Sequence, residues 1–171
     1  MMNATRAAAL EGFLLALWLG ASALFTLVVA RAAFAVLPTR TLAGALVGRV
    51  LPVLFLAGIA VGIVLVVLEW PVVRDRWSRA AAGATMVVAC AIAQFYVAPR
   101  IERLREAIGG PLEALAAGDP QRAAFGRLHG ISVAWLGVAI VAALLGLIST
   151  WRALDPRPAS GSPTPTIQTN G

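Results

Sequence analysis

Charged residues arrive in clusters along this chain, separated by long stretches that hold none. The charge-free runs are Gly12–Ala30 with 19 residues, Val50–Leu68 with 19, Ala80–Pro99 with 20 and Gly130–Trp151 with 22. At 1.5 Å of rise per residue, about 20 residues cross a hydrocarbon layer of about 30 Å. Backbone polar groups find no water there, so each run is predicted to be a helix. The apolar residues surround these helices instead of forming one stripe, unlike those of a soluble surface helix. The pattern predicts an all-α, polytopic membrane protein: a four-transmembrane-helix bundle with spans at about 12–37, 50–69, 79–99 and 130–151.

The segments between the runs have their own signals. Residues 1–11 read as an N-terminal segment. The first run, preceded by Glu11, exceeds the length of a signal-peptide core, about 7–15 residues, so an uncleaved span is expected. Pro38 interrupts the first helix, and Thr39 or Thr41 offers a hydroxyl cap for the second. Pro52 lies inside the second helix, where it removes one backbone donor and favours a kink. Pro99 marks the end of the third span. In "RIERLREAI", Ile101, Leu104 and Ile108 share one face, which predicts an amphipathic helix lying on headgroups or on the protein itself. Gly109-Gly110-Pro111 breaks that helix, and Asp119-Pro120 supplies an N-cap and a first-turn proline for the fourth. The tail from residue 153 onward, rich in Pro, Ser and Thr, is expected to be disordered.

Composition agrees with the run pattern. The chain of 171 residues is 60% hydrophobic and 13% charged, against about 25% charged in soluble domains. All fourteen basic residues are arginines, and they flank the apolar runs instead of forming one wet basic face. That placement excludes a nucleic-acid partner and makes the lipid bilayer the expected one. Four spans put both termini on one side with the loop at 70–79 and six arginines. Eight arginines fall on the other side, and the positive-inside rule leans toward that side being cytoplasmic. A bacterial inner membrane is the expected location.

Three stretches carry a family resemblance: "AAFAVLPTRTLAGALVGRVLPVLF", "FYVAPR" and "FGRLHGIS". Their order and spacing resemble the transmembrane protein 205-like family, a domain-of-unknown-function family of four-helix membrane proteins. The likeness runs from about Gly12 to Trp151. It departs at Leu51, where the family often has Phe, and at Trp135-Leu136, where the family often has Asn.

All three stretches fall at one membrane face. A polar vestibule there would comprise Arg49, Gln94, Tyr96, Arg100, His129 and Ser132. The plainer alternative is that the arginines anchor to lipid phosphates, the prolines set helix ends and His129 bonds a nearby loop. One His and one Cys, with no carboxylate in the central part of a span, supply too few ligands for a metal, and no cofactor is expected. Glu11 and Glu69 lie at the opposite face from His129, so no acid–base pair forms and the chain does not read as an enzyme.

Small residues bear on packing. Gly58 and Gly62 form a small-xxx-small step, which lets helix backbones approach closely in lipid. Gly83, near a span end, is expected to matter less. The leading expectation is a non-enzymatic membrane protein with a structural, partner-binding or membrane-homeostasis role, a homo-oligomer or another membrane protein being its open partner. The alternatives are a small transporter or channel component and a haem- or metal-associated subunit.

Overall fold

Residues 4–69 and 73–155 are described by the structure, a computed structural model. Four helices among them are long and apolar enough to cross a membrane: Thr5–Val36, Arg40–Glu69, Trp77–Ile108 and Pro120–Leu154. The spans run past the charge-free stretches because nothing in the flanking residues stops a helix before its cap. Residues 4–11 are helical and continuous with the first span. Residues 70–72 and the tail beyond 155 lie outside the described residues.

Each boundary has a local cause. Helix one ends at Val36, just before Leu37-Pro38. Thr39 Oγ1 accepts the Leu42 amide at 3.2 Å and caps the second helix. Asp119 Oδ1 accepts the Gln121 amide at 2.7 Å, with Pro120 in the first turn of the fourth. Gly109 closes the third helix in the left-handed region at φ 62°, where a side chain would be strained.

The amphipathic helical connection expected after the third span is present as Ala98–Ile108, with Pro99 in its first turn, and it packs on the protein itself. The span continues through Pro99 to Ile108, and Ile101 and Ile108 face the bundle. An α-helical turn would set the proline ring against the Phe95 carbonyl. Here the preceding turn, Ile92–Val97, widens into a π-helix in which the Ala98 amide bonds the Ala93 carbonyl. A second π-turn, Phe25–Val29, interrupts the first span. Ser22 Oγ, just ahead of it, donates to the Trp18 carbonyl, and Thr26 Oγ1, within it, to the Ser22 carbonyl, each at 2.8 Å. Such back-bonding satisfies hydroxyls in lipid and bends helices.

The spans pack as an antiparallel ring: first against second, second against third, third against fourth, fourth against first. Small residues set the spacing. A Cβ on Gly62 would lie 2.7 Å from the Gly83 carbonyl oxygen, and one on Gly83 would lie 2.8 Å from the Gly62 oxygen. Gly83 is therefore as tightly packed as Gly62, contrary to the expectation from its position near a span end. At Gly58 the missing side chain makes room for the Cys90 thiol and the Trp18 indole. That indole donates to the Leu54 carbonyl at 3.0 Å, a buried bond between the first two spans. Outward, Phe13, Val53, Val67 and Leu145 are exposed, which suits a lipid-facing belt and would be an aggregation hazard in water. The fold is that of a multi-pass membrane protein.

Candidate functional site

The described residues enclose a cavity of about 670 Å³ at the end of the bundle that carries the 109–119 connection. It lies between the second, third and fourth spans, and periodicity explains its lining. On the second helix Thr41, Gly44, Gly48, Pro52 and Phe55 recur about every turn on one face. On the third, Gln94, Ala98, Ile101, Arg105 and Ile108 do the same, and on the fourth Phe125, His129 and Ser132.

Of the six vestibule residues expected from sequence, the structure brings three together. Gln94, His129 and Ser132 line the cavity. Ser132 is buried, whereas His129 is exposed toward the mouth. Gln94 Oε1 is buried and has no hydrogen-bond partner among the described residues, which leaves an acceptor facing whatever occupies the space. Arg49, Tyr96 and Arg100 point elsewhere. Arg49 is exposed, one residue round from Gly48. Tyr96 and Arg100, one turn apart, form an outward pair. The guanidinium carbon sits 3.4 Å from the ring centroid, and Nη1 donates to the Tyr96 carbonyl at 2.7 Å.

Sequence reasoning missed four polar residues of the lining, Arg40, Thr41, Glu102 and Arg105, of which Arg105 reaches across to the second helix. Its Nη2 donates to the Gly44 carbonyl at 3.1 Å, and Nη1 lies 3.6 Å from Glu102 Oε2. A Cβ on Gly48 would come within 3.0 Å of Nη1, so the guanidinium lies on a glycine face. Pro52 supplies no amide to the Gly48 carbonyl, which adds negative potential under that seat. Across the cavity Arg105 sits 5.4 Å over the Phe125 ring, and Phe125 stacks on His129 with centroids 6.4 Å apart. The glycine pair one turn apart, followed by proline, was the available signal in the sequence.

A latch holds the connection over the mouth. Glu113 accepts from the Thr41 amide at 2.9 Å and from the Thr41 hydroxyl, while Thr41 Oγ1 accepts the Leu112 amide at 3.2 Å. The Thr41 hydroxyl hydrogen bond, first among several, holds the Glu113 carboxyl below its ordinary range.

At the opposite end of the bundle lies a buried ion triad. Arg79 Nη1 is 3.0 Å from Glu11 Oε2, and Nη2 is 2.9 Å from Glu69 Oε1, with all three side chains at most 3% exposed. It ties the first three spans together, and a Cβ on the neighbouring Gly12 would lie 3.5 Å from the Thr150 methyl of the fourth. The run pattern placed both carboxylates at this end but gave no sign that Arg79 turns inward between them. No group of three or more His, Cys, Asp or Glu residues able to hold a metal occurs among the described residues.

The model of a domain of unknown function, DUF4149, matches residues 13–109. The chain belongs to that family. The match covers the first three spans, with Gly44, Gly48, Pro52, Gln94 and Arg105, and stops before the fourth. No curated protein and no solved structure matches the chain.

Proposed function

We propose that this chain is a non-catalytic binding protein of the membrane, of the transmembrane protein 205-like kind, and that the vestibule is its binding site. The observation that carries the reading is the pairing of a roomy cavity with polar groups fixed on its wall. Ligand sites occupy about 300–1,000 Å³, are mainly apolar and hold a few placed polar groups. This cavity has that size, apolar walls, and Gln94, Ser132 and Arg105 at set depths. His129 has an aromatic ring as its neighbour instead of a carboxylate, which suits binding better than proton transfer. A bacterial inner membrane with the termini outside would turn the vestibule toward the cytoplasm, with lipid and a further copy or another membrane protein as surroundings.

Solvent extraction of the protein purified in nanodiscs, followed by mass spectrometry, tests this. A small molecule should leave with the unaltered chain and be depleted from Ser132→Phe, whose ring fills the cavity, with melting preserved. Equal recovery from both proteins would count against the vestibule. The same preparation should show neither a haem absorbance band nor stoichiometric metal. Either signal would favour a haem- or metal-associated subunit instead.

A small transporter component is the second reading, and the two π-turns favour it. Wide turns inside helices recur at functional sites, and broken helices mark transporter pathways. Solute flux into proteoliposomes, abolished by Ser132→Phe, would support this reading over binding alone.

A further inference from the structure

We propose that the vestibule takes a single-chain anionic amphiphile, its carboxylate or phosphate on Arg40 and Arg105 and its chain along the apolar wall of the second helix. The inference rests on the vestibule being a binding site and names its ligand class.

Charge decides the head. Two arginines, Arg40 and Arg105, line the mouth with one carboxylate, Glu102, while the Glu113 carboxylate beside them is already engaged by the Thr41 amide and hydroxyl. The Arg105 side chain remains 31% exposed although its guanidinium is fixed by the Gly44 carbonyl and Glu102. A guanidinium has five donors in a rigid fork, so this one keeps donors for an incoming anion while its orientation is already set. Its seat demands glycine at position 48 for close approach. Arg40, at the first turn of the second helix, is exposed and adds a second positive charge at the mouth.

Depth and walls decide the rest. Arg105 and Gln94 are eleven residues apart on one face, about 16 Å along the helix at 1.5 Å per residue. Between those levels the second helix presents Val47, Leu51, Pro52 and Phe55. The result is a cationic mouth above an apolar shaft, set within a membrane. A volume of about 670 Å³ lies within the range for ligands of drug size, which suits one acyl chain better than two.

Photocrosslinking of the full chain in phosphatidylcholine nanodiscs tests this, using palmitic acid and palmityl alcohol that each carry a diazirine. The acid should label peptides spanning residues 47–55 and 125–132 and the alcohol should label them far less. Arg40→Gln and Arg105→Gln should each weaken labelling about tenfold, as loss of a charge-assisted contact implies. Arg40→Gln also serves as the variant that leaves the helix packing intact. Competition by palmitate would identify a free fatty acid, and competition by lysophosphatidate alone a lipid phosphate. Either result supports the anionic class. Equal labelling by acid and alcohol, unchanged in both variants, overturns the anionic assignment while leaving the vestibule a binding site. Absence of vestibule labelling by either probe overturns both readings.

Discussion

Gly62 and Gly83 face each other across the second and third spans, each where a side chain on the other would strike a carbonyl oxygen. The contact is backbone to backbone, so no flexible side chain can yield. Gly62→Leu and Gly83→Leu should each lower stability by about 1–3 kcal/mol or more. Gly20→Leu, where nothing lies within 4 Å, should be tolerated. Thermal melting in detergent compares the three. Tolerance of Gly83→Leu alongside loss in Gly62→Leu would contradict the reciprocal contact.

The buried triad makes a different kind of prediction. Arg79→Met removes the guanidinium that lies between the buried Glu11 and Glu69 carboxylates. Breaking a buried ion pair on one side costs about 3–5 kcal/mol. Replacing all three residues with apolar ones should recover most of that loss, because the desolvation of the charges disappears with them. Melting of the single and triple variants measures this, and a triple variant no better than Arg79→Met would count against it.

The latch between Glu113 and Thr41 predicts a pH dependence. The folded-state carboxyl titrates below its ordinary range. Its stabilising contribution is therefore fully present above the unfolded glutamate value, about 4.3, and is lost as pH falls through the lower folded value. Protection from hydrogen exchange across residues 109–119, taken relative to the intrinsic amide rate at each pH, should be high at neutral pH and fall in acid. Glu113→Ala should exchange quickly at neutral pH, and slow exchange in that variant would show that the segment is held by something else.

Much of the fold was legible in the sequence because lipid imposes simple demands. Four charge-free runs had to be helices, and Thr39, Gly109 and Asp119 are caps whose chemistry is local. The site was legible in part. His129 and Ser132 are one turn apart and share a face, so placing one placed the other. Arg49, Tyr96 and Arg100 were grouped with them by closeness along the chain to the same membrane face. Each, however, lies about a quarter-turn or more away from the cavity-facing stripe of its helix. Arg105 was hidden inside a stretch that reads as amphipathic, since an arginine beside isoleucines looks like a solvated edge. Only the glycine face opposite shows that it points inward. Arg79 was hidden for a related reason: an arginine at a span end is ordinarily an anchor, and its turn toward Glu11 and Glu69 depends on packing between three helices.

The four spans form an up-and-down bundle whose vestibule opens on the face opposite residues 4 and 155. Single cysteines in a Cys90→Ser background, probed with a membrane-impermeant thiol reagent in oriented vesicles, test it most directly. Arg6→Cys, Ser78→Cys and Arg152→Cys should label from one face. Ala116→Cys and His129→Cys should label only from the other. Labelling of Arg6→Cys and Arg152→Cys from opposite faces, or of His129→Cys from the same face as either, would contradict this arrangement of the spans.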